Sequence, residues 1–234
     1  MIPESCGFET EGKSNSCEAR YSRRVNALSE FEKARTLLRD FKGDRYVFGS
    51  RALQKTGEKA AELGSSSVIV YTVYPGVQEI VERVRDSLRS GGVSVLEDLK
   101  GADPNTPRED VFRLADEFEK MKPEVIVVVG GGSTIDATKA ANVLASQGGA
   151  IDDYFGTGLV TKAIAESGRR LTPVVAVQTA SSSGSHLTKY SNVTDVKSGQ
   201  KKLIVDEAII PPRAIFDYDV TTSMPRSLTS DGAL

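Results

Sequence analysis

Histidine is nearly missing: His186 is the single one in 234 residues. A Ser-His-Asp arrangement would have to use it, and a His-rich metal site cannot be assembled from this chain alone. Cysteine is almost as scarce. Cys6 and Cys17 fit no CxxC pair, and a reduced, cytoplasmic protein is expected. No window of about eighteen apolar residues occurs, so no membrane span is expected. Met1-Ile2-Pro3-Glu4-Ser5 is followed by no apolar run, so no secretory leader is expected. An excess of one charge is lacking too. Thirty Lys+Arg oppose 32 Asp+Glu, a formal net charge of −2, which excludes a general nucleic-acid binder.

What is present is the composition of an ordinary globular protein, 39% hydrophobic and 26% charged. Residues 1–20 are polar and aperiodic and read as a flexible leader. Between Ala27 and Phe41, apolar residues recur at three and four, one face of a helix. From Tyr46 onward short apolar runs alternate with amphipathic stretches. Strands are expected at Tyr46-Val47-Phe48, Ser67 to Thr72, Val93 to Leu96, Val125 to Val129, Val174 to Val177, Tyr190 to Thr194, Leu203 to Val205 and Ala214 to Phe216. Helices are expected from Ala52 to Leu63, Pro75 to Leu88, Thr106 to Met121 and Ser133 to Ala145. Gly64 and Gly91-Gly92 serve as stops, and Pro107 opens a first turn. Residues 148–172 read as a loop with one short helix. Such alternation means parallel strands joined by right-handed crossovers. The fold class is α/β, a doubly wound, mostly parallel, Rossmann-like sheet spanning residues 21–222, with 223–234 as the start of a connection.

The sharpest feature is Val127-Val128-Val129-Gly130-Gly131-Gly132-Ser133-Thr134-Ile135-Asp136. A buried strand runs into three glycines and then into a helix with a hydroxyl at its start. Residues without Cβ let a ligand approach the backbone, and the N–H groups and dipole of a helix start favour an anion. The turn also falls at the carboxyl end of a strand, where open α/β sheets bind ligands. The motif is neither GxGxxG nor a Walker sequence. The residues alone read as a phosphate or dinucleotide site near Gly131, or as a tight turn without ligand. A second loop, Thr179-Ala180-Ser181-Ser182-Ser183-Gly184-Ser185-His186, offers small hydroxyls after a strand; its plain alternative is a polar loop.

Together these segments resemble the N-terminal part of the iron-containing (group III) alcohol dehydrogenases, in the dehydroquinate synthase-like superfamily. The family's GGGS-x-x-D-x-x-K stands as Gly130-Gly131-Gly132-Ser133, Asp136 and Lys139. Its Thr-rich loop and "TD" strand stand as Thr179 through Ser185, Thr188 and Asn192-Val193-Thr194-Asp195. Its Lys before a strand and an Asp stands as Lys202-Leu203-Ile204-Val205-Asp206. Its strand-Asp and Met-Pro stand as Ile215-Phe216-Asp217 and Met224-Pro225, and Phe48-Gly49 fits an early Phe-Gly. The resemblance spans roughly residues 45 to 234.

It implies an NAD- or NADP-dependent oxidoreductase acting on a small alcohol or aldehyde by hydride transfer at a divalent metal, iron or zinc, in a homo-oligomer. Gly131, Gly132, Ser133 and Asp136 are carried over to the pyrophosphate. Thr179, Ser183 and Thr188 go to the adenosine and phosphate side, Lys202 to the nicotinamide end, and Asn105 to the cofactor as well. Thr72 stands where an NAD-selecting Asp usually lies and is neutral, so NADP stays open. Arg83 and Arg85 on the next helix read as solvated. His186 replaces a family Glu and reads as a packing or hydrogen-bonding residue. The family's all-helical domain, with its Asp and three His metal ligands, is absent from this chain, so turnover by the chain alone is not expected. The alternatives are a non-catalytic nucleotide-binding module, or a polyol-phosphate dehydrogenase or lyase of the same superfamily.

Overall fold

The computed structural model describes residues 30–180 and 183–222. The expectations for residues 1–20, Cys6, Cys17, Ser181, Ser182 and 223–234 lie outside them. The chain divides into two compact units, residues 1–44 and 45–234. In the first, helix α1 covers 30–42 and leaves Phe31, Leu37 and Phe41 exposed.

The second unit runs β1 Tyr46–Gly49, α2 Thr56–Ala61, β2 Ser66–Tyr71, α3 Val77–Ser90, β3 Ser94–Lys100, α4 Arg108–Met121, β4 Val125–Gly130 and α5 Gly132–Gln147. It continues β5 Gly156–Thr157, α6 Leu159–Ser167, β6 Val174–Gln178, β7 Tyr190–Asp195, β8 Gln200–Val205, β9 Arg213–Asp217 and α7 Tyr218–Thr221. The main sheet has the order β1-β9-β6-β4-β2-β3, with every pairing parallel.

Burial on both faces explains the apolar strands. Val68, Val70, Ile126, Val128, Val174 and Ala176 point into one core, with α4 and α5. Ile69, Val127, Val129, Val175, Val177 and Ile215 point into the other, with α3. Each fully buried Val or Ile contributes about 1.5–3 kcal/mol. Helix α3 buries Val77, Ile80, Val81, Val84 and Leu88, the spacing of one apolar stripe. It ends where Gly92 takes φ +76° and Val93 N–H reaches back to the Leu88 carbonyl at 2.9 Å. Helices α2 and α3 meet backbone to backbone. A Cβ on Gly57 would collide with the Ser87 carbonyl, and one on Gly91 would lie 2.6 Å from the Gly57 carbonyl carbon.

A second, smaller sheet, β5-β8-β7, adds Val193 and Ile204 to the α4/α5 core. The stretch 148–172 is more built than its glycines suggest. Ile151–Tyr154 forms a 3₁₀ turn, β5 pairs with β8, and α6 follows. Buried Ile151, Tyr154 and Val160 hold it down, and the Tyr154 hydroxyl donates to the Gly148 carbonyl at 2.6 Å.

The chain goes from β2 out to the edge strand β3, then returns past β2 to β4. The strand order therefore reverses between β2 and β4, and the crevice at such a switch point is where open sheets take ligands.

Candidate functional site

The triple glycine lies at that switch point, and its members have three different surroundings. A Cβ on Gly130, the last residue of β4, would collide with Thr72 Oγ1. Gly131 is less crowded: among the described residues, the nearest atom to a Cβ there is Ala180 Cβ, at 3.5 Å. A Cβ on Gly132 would lie 2.7 Å from Ser183 Oγ, because the second loop closes on it. Gly131 is therefore where a ligand can approach the backbone most closely.

Helix α5 starts at Gly132 with Gly131 as its N-cap, and no side chain among the described residues caps it. This corrects the expected hydroxyl cap. Ser133 sits inside the first turn, and its Oγ accepts the Asn105 N–H at 3.0 Å. The uncapped first-turn N–H groups are the anion-favouring feature of the crevice.

Three other expected residues gather around the turn. Thr72 follows β2; its N–H donates to the Val129 carbonyl at 3.0 Å and its hydroxyl to Thr134 Oγ1 at 2.7 Å. Thr179 follows β6, donates its N–H to the Gly130 carbonyl at 3.0 Å, and meets the Tyr74 phenol. Burial pushes that phenol upward. Ser183 lies against Gly132 and accepts the Ser185 N–H at 3.3 Å.

Asn105 forms the rim. It and Thr106 both hold left-handed backbone, φ +67° and +56°. Non-glycine residues take that shape at a cost of order 1–3 kcal/mol each unless their surroundings impose it. Here they do. Thr106 donates its hydroxyl to the Ser133 carbonyl at 3.0 Å, and the Asn105 carbonyl accepts the Thr194 hydroxyl at 2.6 Å.

Lys201, whose pairing with Lys202 in sequence suggests only a solvated basic face, donates to Asn105 Oδ1 at 2.8 Å. Lys202 instead pairs with Asp152 at 2.6 Å and lies 5.3 Å from the Phe155 ring centre. Neighbours on a strand face opposite sides, so the two lysines part company. The signal that would have found Lys201 is the β7–β8 register, which pairs it with Thr194.

Asp136 and Thr188 stand elsewhere. The Asp136 carboxylate accepts the Asn192 N–H on β7 at 3.0 Å, and burial pushes it above the usual carboxylate range. Thr188 offers its carbonyl to Lys139 at 2.8 Å. His186 is buried between Tyr46, with Nε2 3.4 Å from its hydroxyl, and the Phe216 ring at 6.2 Å. The expectation that Arg83 and Arg85 are solvated needs correcting. Arg83 reaches the fully buried Asp217 at 3.5 Å, and Arg85 pairs with Asp98. Among the described residues no group of three His, Cys, Asp or Glu could hold a metal ion, and no helix is long and apolar enough to cross a membrane.

Residues 43–218 match the family model described as iron-containing alcohol dehydrogenase. The NAD-dependent methanol dehydrogenase of Bacillus methanolicus is 30% identical over 184 residues, covering 78% of this chain and 46% of that protein. A solved 1,3-propanediol oxidoreductase superposes with a TM-score of 0.71 at 27% identity, over 80% of this chain and 47% of the other. Sulfoacetaldehyde reductase from Bifidobacterium kashiwanohense, solved in complex with NAD+, gives 0.65 at 26% identity, over 80% and 48%. The chain thus spans about half the length of the proteins it matches.

Proposed function

The chain belongs to the iron-containing alcohol dehydrogenase family, and from that premise we propose that it holds NAD for hydride exchange between the nicotinamide and a small alcohol or aldehyde. One observation carries the reading: among the described residues, Gly131 stands open before a helix that no side chain caps, at the switch point of a parallel sheet. When bound, the nicotinamide supplies the redox chemistry, and the chain supplies binding and orientation.

In this reading the N–H groups of Gly132 and Ser133 donate to the pyrophosphate, and Gly131 leaves room for it. Ser133 Oγ already accepts from Asn105, so its own proton remains to be donated to a phosphate oxygen. Thr179 and Ser183 border the adenosine and phosphate side, and Thr188 stands behind them, its carbonyl held by Lys139. Asn105 and Lys201 form the rim toward the nicotinamide, with Lys202 behind them on Asp152. Thr72 lies where the adenosine ribose would be read.

Thr72 is neutral and so admits a 2′-hydroxyl or a 2′-phosphate. The arginines of the following helix, Arg83 and Arg85, are engaged by Asp217 and Asp98, and among the relatives the methanol dehydrogenase is NAD-dependent and the sulfoacetaldehyde reductase was solved with NAD+. Both favour NAD over NADP. The described residues present no ligand set for iron or zinc, so no step for this chain is drawn through a metal.

Calorimetric titration of the 234-residue chain with NAD+ and NADP+ tests the proposal. Saturable binding of NAD+, weakened by Gly131→Ala, is expected. No binding of either nucleotide would overturn it.

A further inference from the structure

Helix α5 carries two buried charged side chains three residues apart, Asp136 and Lys139, 5% and 2% exposed. That spacing puts both on one face of the helix. The face they share meets the segment that follows the serine-rich loop. Asp136 accepts from Asn192 twice, from its N–H at 3.0 Å and its side-chain amide at 3.4 Å. The Ser185 hydroxyl lies against the same carboxylate, and the Asp136 carbonyl accepts the Ser191 hydroxyl at 2.8 Å. Lys139 donates to the carbonyls of Thr188 at 2.8 Å and Tyr190 at 2.9 Å.

One turn of one helix therefore grips residues 185, 188, 190, 191 and 192. Just ahead of them, Ser183 lies against Gly132, at the mouth of the crevice. Burying two charges is costly, and apolar residues of the same size would often serve stability as well or better. What directed hydrogen bonds supply instead is position. They tie residues 188–192 to α5 in fixed directions and at fixed distances, a constraint that an apolar contact does not impose.

We propose that Asp136 and Lys139 are positioning residues for the dinucleotide: they determine its affinity through the 183–188 loop. This rests on the cofactor reading above and assigns the last two residues of the glycine motif a task distinct from the first four.

The test compares the parent chain with Asp136→Asn, Ser185→Ala and the double variant. NAD+ affinity is read by calorimetry, and folding is read by the urea midpoint. Burial already favours the uncharged carboxyl, so an amide is a mild change for folding. Each single variant is expected to weaken NAD+ about tenfold. The double variant is expected to be no weaker than either, because both changes break one connection. Multiplying effects in the double variant overturn the proposal, as does unchanged affinity in folded Asp136→Asn. Should Asp136→Asn fail to fold, Lys139→Met, which removes the donor to the Thr188 and Tyr190 carbonyls, decides in its place, and unchanged affinity there overturns the proposal. A parent chain that binds no NAD+ removes the cofactor reading and this proposal together. A parent that binds as tightly as its variants removes only the positioning role.

Discussion

The hydroxyl of Thr72 donates to that of Thr134 across 2.7 Å, joining the end of β2 to the first turn of α5 over the top of Gly130. A methyl group on Gly130 would enter this bond and also approach Thr134 Cβ at 3.1 Å. Gly130→Ala is therefore expected to cost about 1–3 kcal/mol of stability, the range for an overpacked interior. Among the described residues, Gly131→Ala meets Ala180 Cβ at 3.5 Å and no other atom, and it should stay within about 1 kcal/mol of the parent while weakening NAD+ binding. Urea unfolding and calorimetry on the two variants separate these outcomes. Equal destabilisation by both would contradict the geometry.

Asp217 is fully buried at the end of β9. It accepts the N–H groups of Leu53 at 3.0 Å and Asp219 at 2.9 Å, with Arg83 at 3.5 Å. Asp217→Ala leaves those donors without an acceptor, at a cost of about 2–4 kcal/mol. A shift of the urea midpoint worth less than about 1 kcal/mol would show that the pocket admits water instead.

The neighbouring lysines should behave differently. Lys201→Met frees Asn105 Oδ1 beside the strained 105–106 backbone, so NAD+ affinity should fall several-fold, an effect of about 1 kcal/mol. Lys202→Met removes a half-exposed ion pair with Asp152, an interaction of about 0–1 kcal/mol, and should affect binding less. Calorimetry on both variants ranks them, and the reverse order would move the rim of the site from Lys201 to Lys202.

Tyr46 predicts a pH effect. Burial first, and Tyr218 second, push its phenol from 10.0 to about 12. The fold thus favours the protonated phenol. That contribution is complete below about pH 10 and lost as pH rises through about 12. Stability measured by urea should fall across this window, and fall less steeply in Tyr46→Phe. Identical slopes in parent and variant would mean that Tyr46 ionises in the fold as easily as in the unfolded chain.

Much of the fold is legible in short segments. Val125 to Val129 could only be a strand covered on both sides, and α3 is framed by Pro75 and the Gly91-Gly92 stop. The glycine turn is visible because three residues without Cβ follow such a strand, and the sequence leaves open whether it takes an anion or is a tight turn without ligand. The 148–172 stretch was less visible. Its order comes from Ile151, Tyr154 and Val160 finding a core that lies far away in sequence. Ser133 looked like a cap because hydroxyls commonly cap helices, yet the helix begins one residue earlier and Asn105 claims the hydroxyl.

Sequence by itself determined the alternation of strand and helix, the parallel sheet and the location of the glycine corner. Each of these follows from periodicity and backbone freedom within about ten residues. Only the tertiary structure decided that Lys201 reaches Asn105, that Asp136 and Lys139 bond to residues 188–192, and that, among the described residues, Gly131 is the least crowded of the three glycines. Those outcomes join residues up to 96 apart. They depend on strand register and helix crossing, which no local pattern encodes.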